Sequence, residues 1–245
     1  MTRIAYDSRA ATAFEANRHL DEEGLAAWRA AVTRHLDPRP GTRLLDLGAG
    51  TGMWARMFTR WYDAVEIIAV EPSDAMRARC QCPRVLPGDA ADIPLADDSV
   101  DAAWLSTVVH HVPDLTAAAR ELRRVLRPGG TVLIRSAFAG RHRGITLFRY
   151  FPEAVRVLDT YPSVRDVEVA FATAGFGTIA FEPVPQVTAP SLRAAVAALR
   201  RAAHTPLQLI TDDEYAAGLA RMRRAAETGA GTEPVIDTLD LLALR

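Results

Sequence analysis

Lysine is absent from the chain: all 29 basic residues are arginine. That excludes Schiff-base catalysis, a pyridoxal phosphate anchor and a P-loop lysine. Arginine in place of lysine, together with abundant alanine, is the bias of a GC-rich genome. Cysteine is scarce as well. Cys80 and Cys82 are the only two, separated by Gln81; two ligands do not close a structural zinc site, and so short a spacing is poor disulfide geometry. They read as ordinary thiols of a reducing compartment, and nothing in the sequence demands a metal. No apolar run reaches the ~20 residues of a membrane crossing, and Met1, Thr2, Arg3, Asp7 and Arg9 leave no apolar signal core. The expected location is the cytoplasm, with no membrane partner. Neither sign of charge dominates: 29 basic against 30 acidic residues give a net charge of -1. A nucleic-acid partner, which calls for a basic excess, is not expected. What is present, 49% hydrophobic and 24% charged residues over 245 positions, suits one large domain or a domain with an attachment.

Helical spacing covers Ala10 to Asn17 and Leu25 to Leu36, and Asp37-Pro38-Arg39-Pro40-Gly41 ends it. Strands then alternate with helices. The predicted strands are Arg43 to Leu47, Val65 to Val70, Val85 to Leu86, Val100 to Leu105 and Thr131 to Arg135. The predicted helices between them are Met53 to Trp61, Asp74 to Cys80 and Leu115 to Leu126, the last stopped by Arg127-Pro128-Gly129-Gly130. Such alternation with short turns implies right-handed crossovers and a parallel sheet covered on both faces. Further on, the pattern predicts a helix over Val164 to Ala174, a strand over Thr178 to Glu182, helices over Ser191 to Ala203 and Asp212 to Thr228, and a closing strand over Val235 to Leu242.

The run Leu44-Leu45-Asp46-Leu47-Gly48-Ala49-Gly50-Thr51-Gly52 takes a strand through a glycine-rich turn into a helix, freeing backbone N–H groups for a ligand. A dinucleotide fingerprint needs its third glycine at position 53, which is Met53; here it comes one residue early. Asp46 would set a carboxylate where a pyrophosphate sits, an unfavourable pairing, whereas an ammonium or sulfonium suits it. Glu71 follows about 20 residues after the glycines, where a carboxylate accepts both hydroxyls of a ribose. Asp89, in Gly88-Asp89-Ala90-Ala91-Asp92, can accept the exocyclic amine of adenine, and Met76 can pack on its face. Adenine, ribose and a cationic amino-acid portion together describe S-adenosylmethionine.

The motif text LLDLGAGTG, VEPSDAM, GDAADIPLADDSVDAAW, VVHHVPD and ELRRVLRPGGTVLI, ordered across roughly Arg43 to Ser136, resembles the class I S-adenosylmethionine-dependent methyltransferases. The similarity is to the ubiquinone/menaquinone-biosynthesis-like (methyltransferase type 11) subgroup. The resemblance implies an α/β, Rossmann-like fold: a seven-stranded, mostly parallel sheet with helices on both faces and an antiparallel last strand. The first 40 residues (1–40) resemble the family's N-terminal helical lid, whereas a long helical excursion (190–233) is an attachment to the common core, where the resemblance is weakest, so that the core is 41–189 with 234–245. It implies that Asp46, Gly48, Ala49, Gly50 and Gly52 line the methionine end of the cofactor, that Glu71 holds the ribose, and that Asp89 and Ala90 meet the adenine beside Pro72 and Met76. Ser106 or Thr107 would reach the cofactor's amino group or a substrate. Tyr6 and Arg18 belong to a segment resembling the lid over the methyl donor; an ordinary amphipathic packing helix is the other reading of that segment.

The reaction implied is in-line displacement, which leaves S-adenosyl-L-homocysteine. An oxygen acceptor benefits from a general base, and the candidates are His111 and His110, after the fourth strand; the alternative is that one of the pair is structural. His19, His142, Phe148, Tyr150 and Phe151 are the candidate acceptor-binding residues, with core packing the competing reading of the aromatic cluster. His35 and His204 read as surface residues. The expected acceptor is a small, apolar or aromatic specialised metabolite of a bacterial pathway, handled by a monomer or homodimer. Two other readings stand beside it: an RNA methyltransferase, and an S-adenosylmethionine-binding scaffold or non-methyl rearrangement catalyst.

Overall fold

Strand β1, Arg43–Leu47, is buried along Leu44 to Leu47, as a strand covered on both faces must be. It pairs in parallel with β2 (Glu66–Glu71) on one side and β4 (Val100–Ser106) on the other. β3 (Val85–Pro87) extends the sheet beyond β2, and β5 (Leu126–Ser136) lies parallel to β4. β7 (Val235–Leu244) runs antiparallel to β5. With β6 (Thr178–Ala189) the seven-stranded order is β3-β2-β1-β4-β5-β7-β6, the Rossmann-like, mostly parallel architecture that the alternation and the resemblance implied. The computed structural model describes residues 22–82 and 84–245; the predicted helix at Ala10 to Asn17, and with it Tyr6, Arg18 and His19, lies outside them.

The chain divides into two compact units. The larger comprises Arg29–Ser136, Pro162–Pro183 and Asp240–Arg245. Its helix α1 (Ala26–Leu36, shared with the other unit at its first turn) is followed by α2 (Met53–Trp61) and α3 (Asp74–Arg77). Helix α2 packs an aromatic stripe on the sheet: the Trp54 and Phe58 rings lie 4.8 and 5.4 Å from that of Trp104 on β4. Helix α4 (Leu115–Val125) begins where the Asp114 carboxylate accepts the Ala117 N–H at 2.9 Å, and it buries Ala118, Leu122 and Val125.

The smaller unit comprises residues 22–28, Ala137–Tyr161 and Val184–Leu239. It holds α5 (Thr146–Tyr150), α6 (Val155–Leu158), α8 (Leu192–Ala198), α9 (Thr205–Gln208) and α10 (Asp212–Ala226) around Phe148, Phe151, Leu158, Leu192, Leu207 and Met222; α7 (Val164–Ala172) belongs to the larger unit. A capping box at Thr211 and Glu214 opens α10. Arg156 then grips the Glu214 carboxylate through both its outer nitrogens, at 2.9 and 2.6 Å.

Four elements differ from the sequence expectation. β5 starts at Leu126, not Thr131: Leu126 pairs with Val100, and a register shift between Val100 and Ala102 takes up Arg127 to Gly130. β6 continues past Glu182 to Ala189 although Pro183 and Pro185 interrupt it; at the end of the sheet order a missing N–H costs no ladder bond. The single helix predicted over Ser191 to Ala203 is split, α8 ending at Ala198 and a separate turn following at Arg201–Ala203. The predicted Asp74 to Cys80 helix stops at Arg77. No described helix is long and apolar enough to cross a membrane.

Candidate functional site

Gly48, Gly50 and Gly52 all have positive φ, 73, 57 and 80°, a conformation that costs side chains with a Cβ dearly. At two of them space is lacking as well. A Cβ on Gly48 would collide with the Val108 side chain, and one on Gly52 with the sulfurs of Cys82 and Cys80. The turn is tied to β2, because the Gly48 and Ala49 N–H groups both donate to the Val70 carbonyl, at 2.8 and 3.2 Å.

Asp46 is the penultimate residue of β1, just before this turn, and is 1% exposed. Its Oδ2 has no hydrogen-bond partner among the described residues. Burial, with the negative fields of Cys80 and Glu71 behind it, pushes its pKa up to about 8 against the N–H of Ala55. A buried carboxylate with an open oxygen is stable only if it keeps its proton or meets a cation.

Glu71, 6% exposed at the end of β2, accepts the Gly50 N–H on Oε2 and the Ser73 N–H on Oε1, both at 2.9 Å. Burial raises its pKa above the ordinary range, opposed by these two amides and by Arg77. Each oxygen retains a further lone pair for a hydroxyl. Met76 is buried on α3 and Pro72 is exposed beside it. Asp89 is exposed and its carboxylate accepts the Ala91 N–H at 2.8 Å, which fixes the loop holding Ala90.

β4 ends at Ser106, whose hydroxyl receives a 3.1 Å hydrogen bond from Arg135 on β5. Thr107 follows with φ of 52°, strained for a β-branched residue. Val109–His111 then form a turn in which the His110 and His111 rings meet at a tilt of 47°, their centres 4.0 Å apart. Since Val108 rests on Gly48, this turn sits over the start of the glycine loop. His35 departs from the surface expectation: its Nε2 lies 2.8 Å from Glu182 and its side chain is 13% exposed.

In the smaller unit, Phe148, Tyr150 and Phe151 are buried members of one apolar cluster. Phe151 stacks on Tyr215 at 5.7 Å. The His142 ring meets Phe148 edge-on at 6.4 Å, and its Nδ1 is buried without a hydrogen-bond partner among the described residues.

Two features escaped the sequence reading. Arg135 is 3% exposed, with its guanidinium 5.2 Å from the centre of the Trp54 ring; its signal was one cation in the otherwise apolar run Val132-Leu133-Ile134-Arg135. The other is the contact of both cysteines with Gly52, which spacing along the chain does not reveal. Among the described residues no cluster of three metal-ligating side chains occurs.

The family described as "Methyltransferase domain" matches residues 45–134. The chain is similar to malonyl-[acyl-carrier protein] O-methyltransferase of Serratia marcescens, 40% identical over 103 residues, 41% of this chain and 40% of that protein. It is also similar to demethylmenaquinone methyltransferase of Corynebacterium kroppenstedtii, 32% identical over 109 residues, 44% and 47% of the two chains. The matched stretch thus spans less than half the length of these curated relatives. Among solved structures the fold resembles geranyl diphosphate C-methyltransferase of Streptomyces coelicolor A3(2), in complex with Mg2+, geranyl diphosphate and S-adenosyl-L-homocysteine. There the TM-score is 0.54 at 19% identity, over 89% of this chain and 78% of that one. The matched region is the one whose motif text resembles the class I S-adenosylmethionine-dependent methyltransferases of the menaquinone-biosynthesis type.

Proposed function

We propose that the protein transfers a methyl group from S-adenosyl-L-methionine to a small-molecule acceptor. The observation that carries this reading is the open, buried Oδ2 of Asp46 beside a turn of three left-handed glycines. A phosphate there would face a carboxylate, whereas a cation relieves the burial that holds Asp46 protonated. The similarity of residues 45–134 to methyltransferase domains supports the same conclusion.

The residues present fit the cofactor. Asp46, Gly48, Ala49, Gly50 and Gly52 would hold its methionine end, Glu71 the ribose, Asp89 and Ala90 the adenine with Pro72 and Met76, and Ser106 the amino group. Tyr6 and Arg18 would serve the lid. The cofactor brings a methyl carbon already activated by a sulfonium, so this chain's tasks are positioning, exclusion of water and removal of an acceptor proton. For the last, His111 is assigned as base, with the tilted His110 ring packed against it at 4.0 Å so that the neighbour restricts the reacting imidazole. His142, with its open Nδ1 and its Phe148 wall, is the acceptor-side polar group among apolar neighbours, alongside Tyr150, Phe151 and His19. An apolar or aromatic metabolite of a bacterial specialised pathway suits such a lining. The proposal includes a cytoplasmic protein, as monomer or homodimer, and the domain boundaries given above.

Incubation with methyl-labelled cofactor and a panel of phenolic, enolic, amine and carboxylate acceptors tests the reading. Label in an extracted small molecule is expected. Tight cofactor binding without transfer to any acceptor would favour the scaffold, and label in RNA the macromolecular alternative.

A further inference from the structure

The geometry points to a modification site beside the glycine turn: Cys80 and Cys82 are a hydroperoxide-reactive dithiol that closes into an intrachain disulfide against Gly52. In sequence the one-residue spacing reads as unfavourable for pairing. In the fold the segment after α3 bends so that the two Sγ atoms lie 2.6 Å apart, as free thiols, each partly exposed.

The bend is held from outside the pair. Arg56 Nη1 donates to the Gln81 side-chain oxygen at 2.7 Å, and the Gln81 N–H points to the Thr51 carbonyl at 3.4 Å. Gly52 supplies the floor, since a Cβ there would lie 2.8 Å from the Cys80 sulfur and nearer still to that of Cys82. Two thiols pinned by a third element have little chain entropy left to lose on bonding. Reagents reach them because neither side chain is fully buried.

The two sulfurs are not equivalent. One proton is shared between the two sulfurs; the sharing, with Arg56 assisting, lowers the Cys80 pKa, and Cys82 is pushed up. The thiolate is the nucleophile, so Cys80 attacks. Its sulfur takes the terminal oxygen of a hydroperoxide, ROOH, whose O–O bond breaks to release ROH after protonation, leaving Cys80 as sulfenic acid. The Cys82 sulfur then displaces that hydroxyl as water, forming the S–S bond. In sum, two thiols and ROOH give a disulfide, ROH and water; the sulfurs lose two electrons and the peroxide gains them.

Since the chain has no other cysteine, the test reads out cleanly. The full-length protein is treated with hydrogen peroxide, denatured with a thiol alkylator, and weighed intact. We expect a monomer lighter by two hydrogens that takes up no alkylator, and recovery of both thiols after a reducing phosphine. Cys82→Ser should stop at a sulfenic acid on Cys80 trapped by dimedone, and Cys80→Ser should react about tenfold more slowly than the wild type. Two alkylated thiols in the treated wild type would overturn the proposal whatever the variants do. So would disulfide-linked dimers.

Discussion

Asp46 carries the largest consequence for a single side chain. Its pKa is raised from 3.8 unfolded to about 8 folded, so the folded chain binds this proton more tightly than the unfolded one. Stability is therefore lost progressively as pH rises between those values and is flat above them. Asp46→Asn should remove the penalty: the melting temperature of the ligand-free protein should rise by several degrees at pH 8, and the gain should vanish toward pH 4. The same substitution should weaken S-adenosylmethionine binding at least about tenfold. In the wild type, binding should release a proton and strengthen from pH 6 to 8, which calorimetry in buffers of different ionisation enthalpy measures. A pH-independent affinity would contradict the role. Glu71→Ala should likewise cripple binding, for it removes both the proposed ribose acceptor and the ties to Gly50 and Ser73; unchanged calorimetric affinity would count against it. His111→Ala should lower kcat about 10²-fold or more with KM little changed for an oxygen acceptor, and undiminished turnover would remove it as base.

At the scale of elements, the strands and helices up to Ser136 were legible because each carries its own signal. Leu44, Leu45 and Leu47 make a short apolar run broken only by Asp46; Trp54, Phe58 and Trp61 repeat at helical spacing, and Asp114 caps its helix. The boundaries that slipped are those set by partners distant in sequence. Leu126 joins β5 because Val100 pairs with it across the sheet, and β6 tolerates Pro183 and Pro185 because of its place at the sheet's end. α5 and α6 are too short for periodicity to identify. Packing of α10 against the loop at Phe151 was equally hidden: Gly218 carries no side chain because the Phe151 ring occupies that space. Gly218→Ala should therefore destabilise the protein by about 1–3 kcal/mol despite the better helix propensity of alanine. Thermal or urea unfolding checks the sign, and a stabilised variant would refute the packing.

For the molecule as a whole, composition spoke to class and motif order to fold, while the acceptor stayed illegible. The glycine turn, Asp46 and Glu71 carry their signal in short motifs local in sequence, so residue types alone suggested them. Arg135, the adjoining rings of His110 and His111, and the open nitrogen of His142 depend on what folding brings next to them. A net charge of -1 predicts no salt-dependent retention on RNA, and a gel shift at low ionic strength checks it. The most direct measurement is a side-by-side calorimetric titration of the protein with S-adenosylmethionine, S-adenosylhomocysteine and a nicotinamide dinucleotide. The account predicts saturable binding of the first two and none of the third; binding of the dinucleotide alone would contradict it.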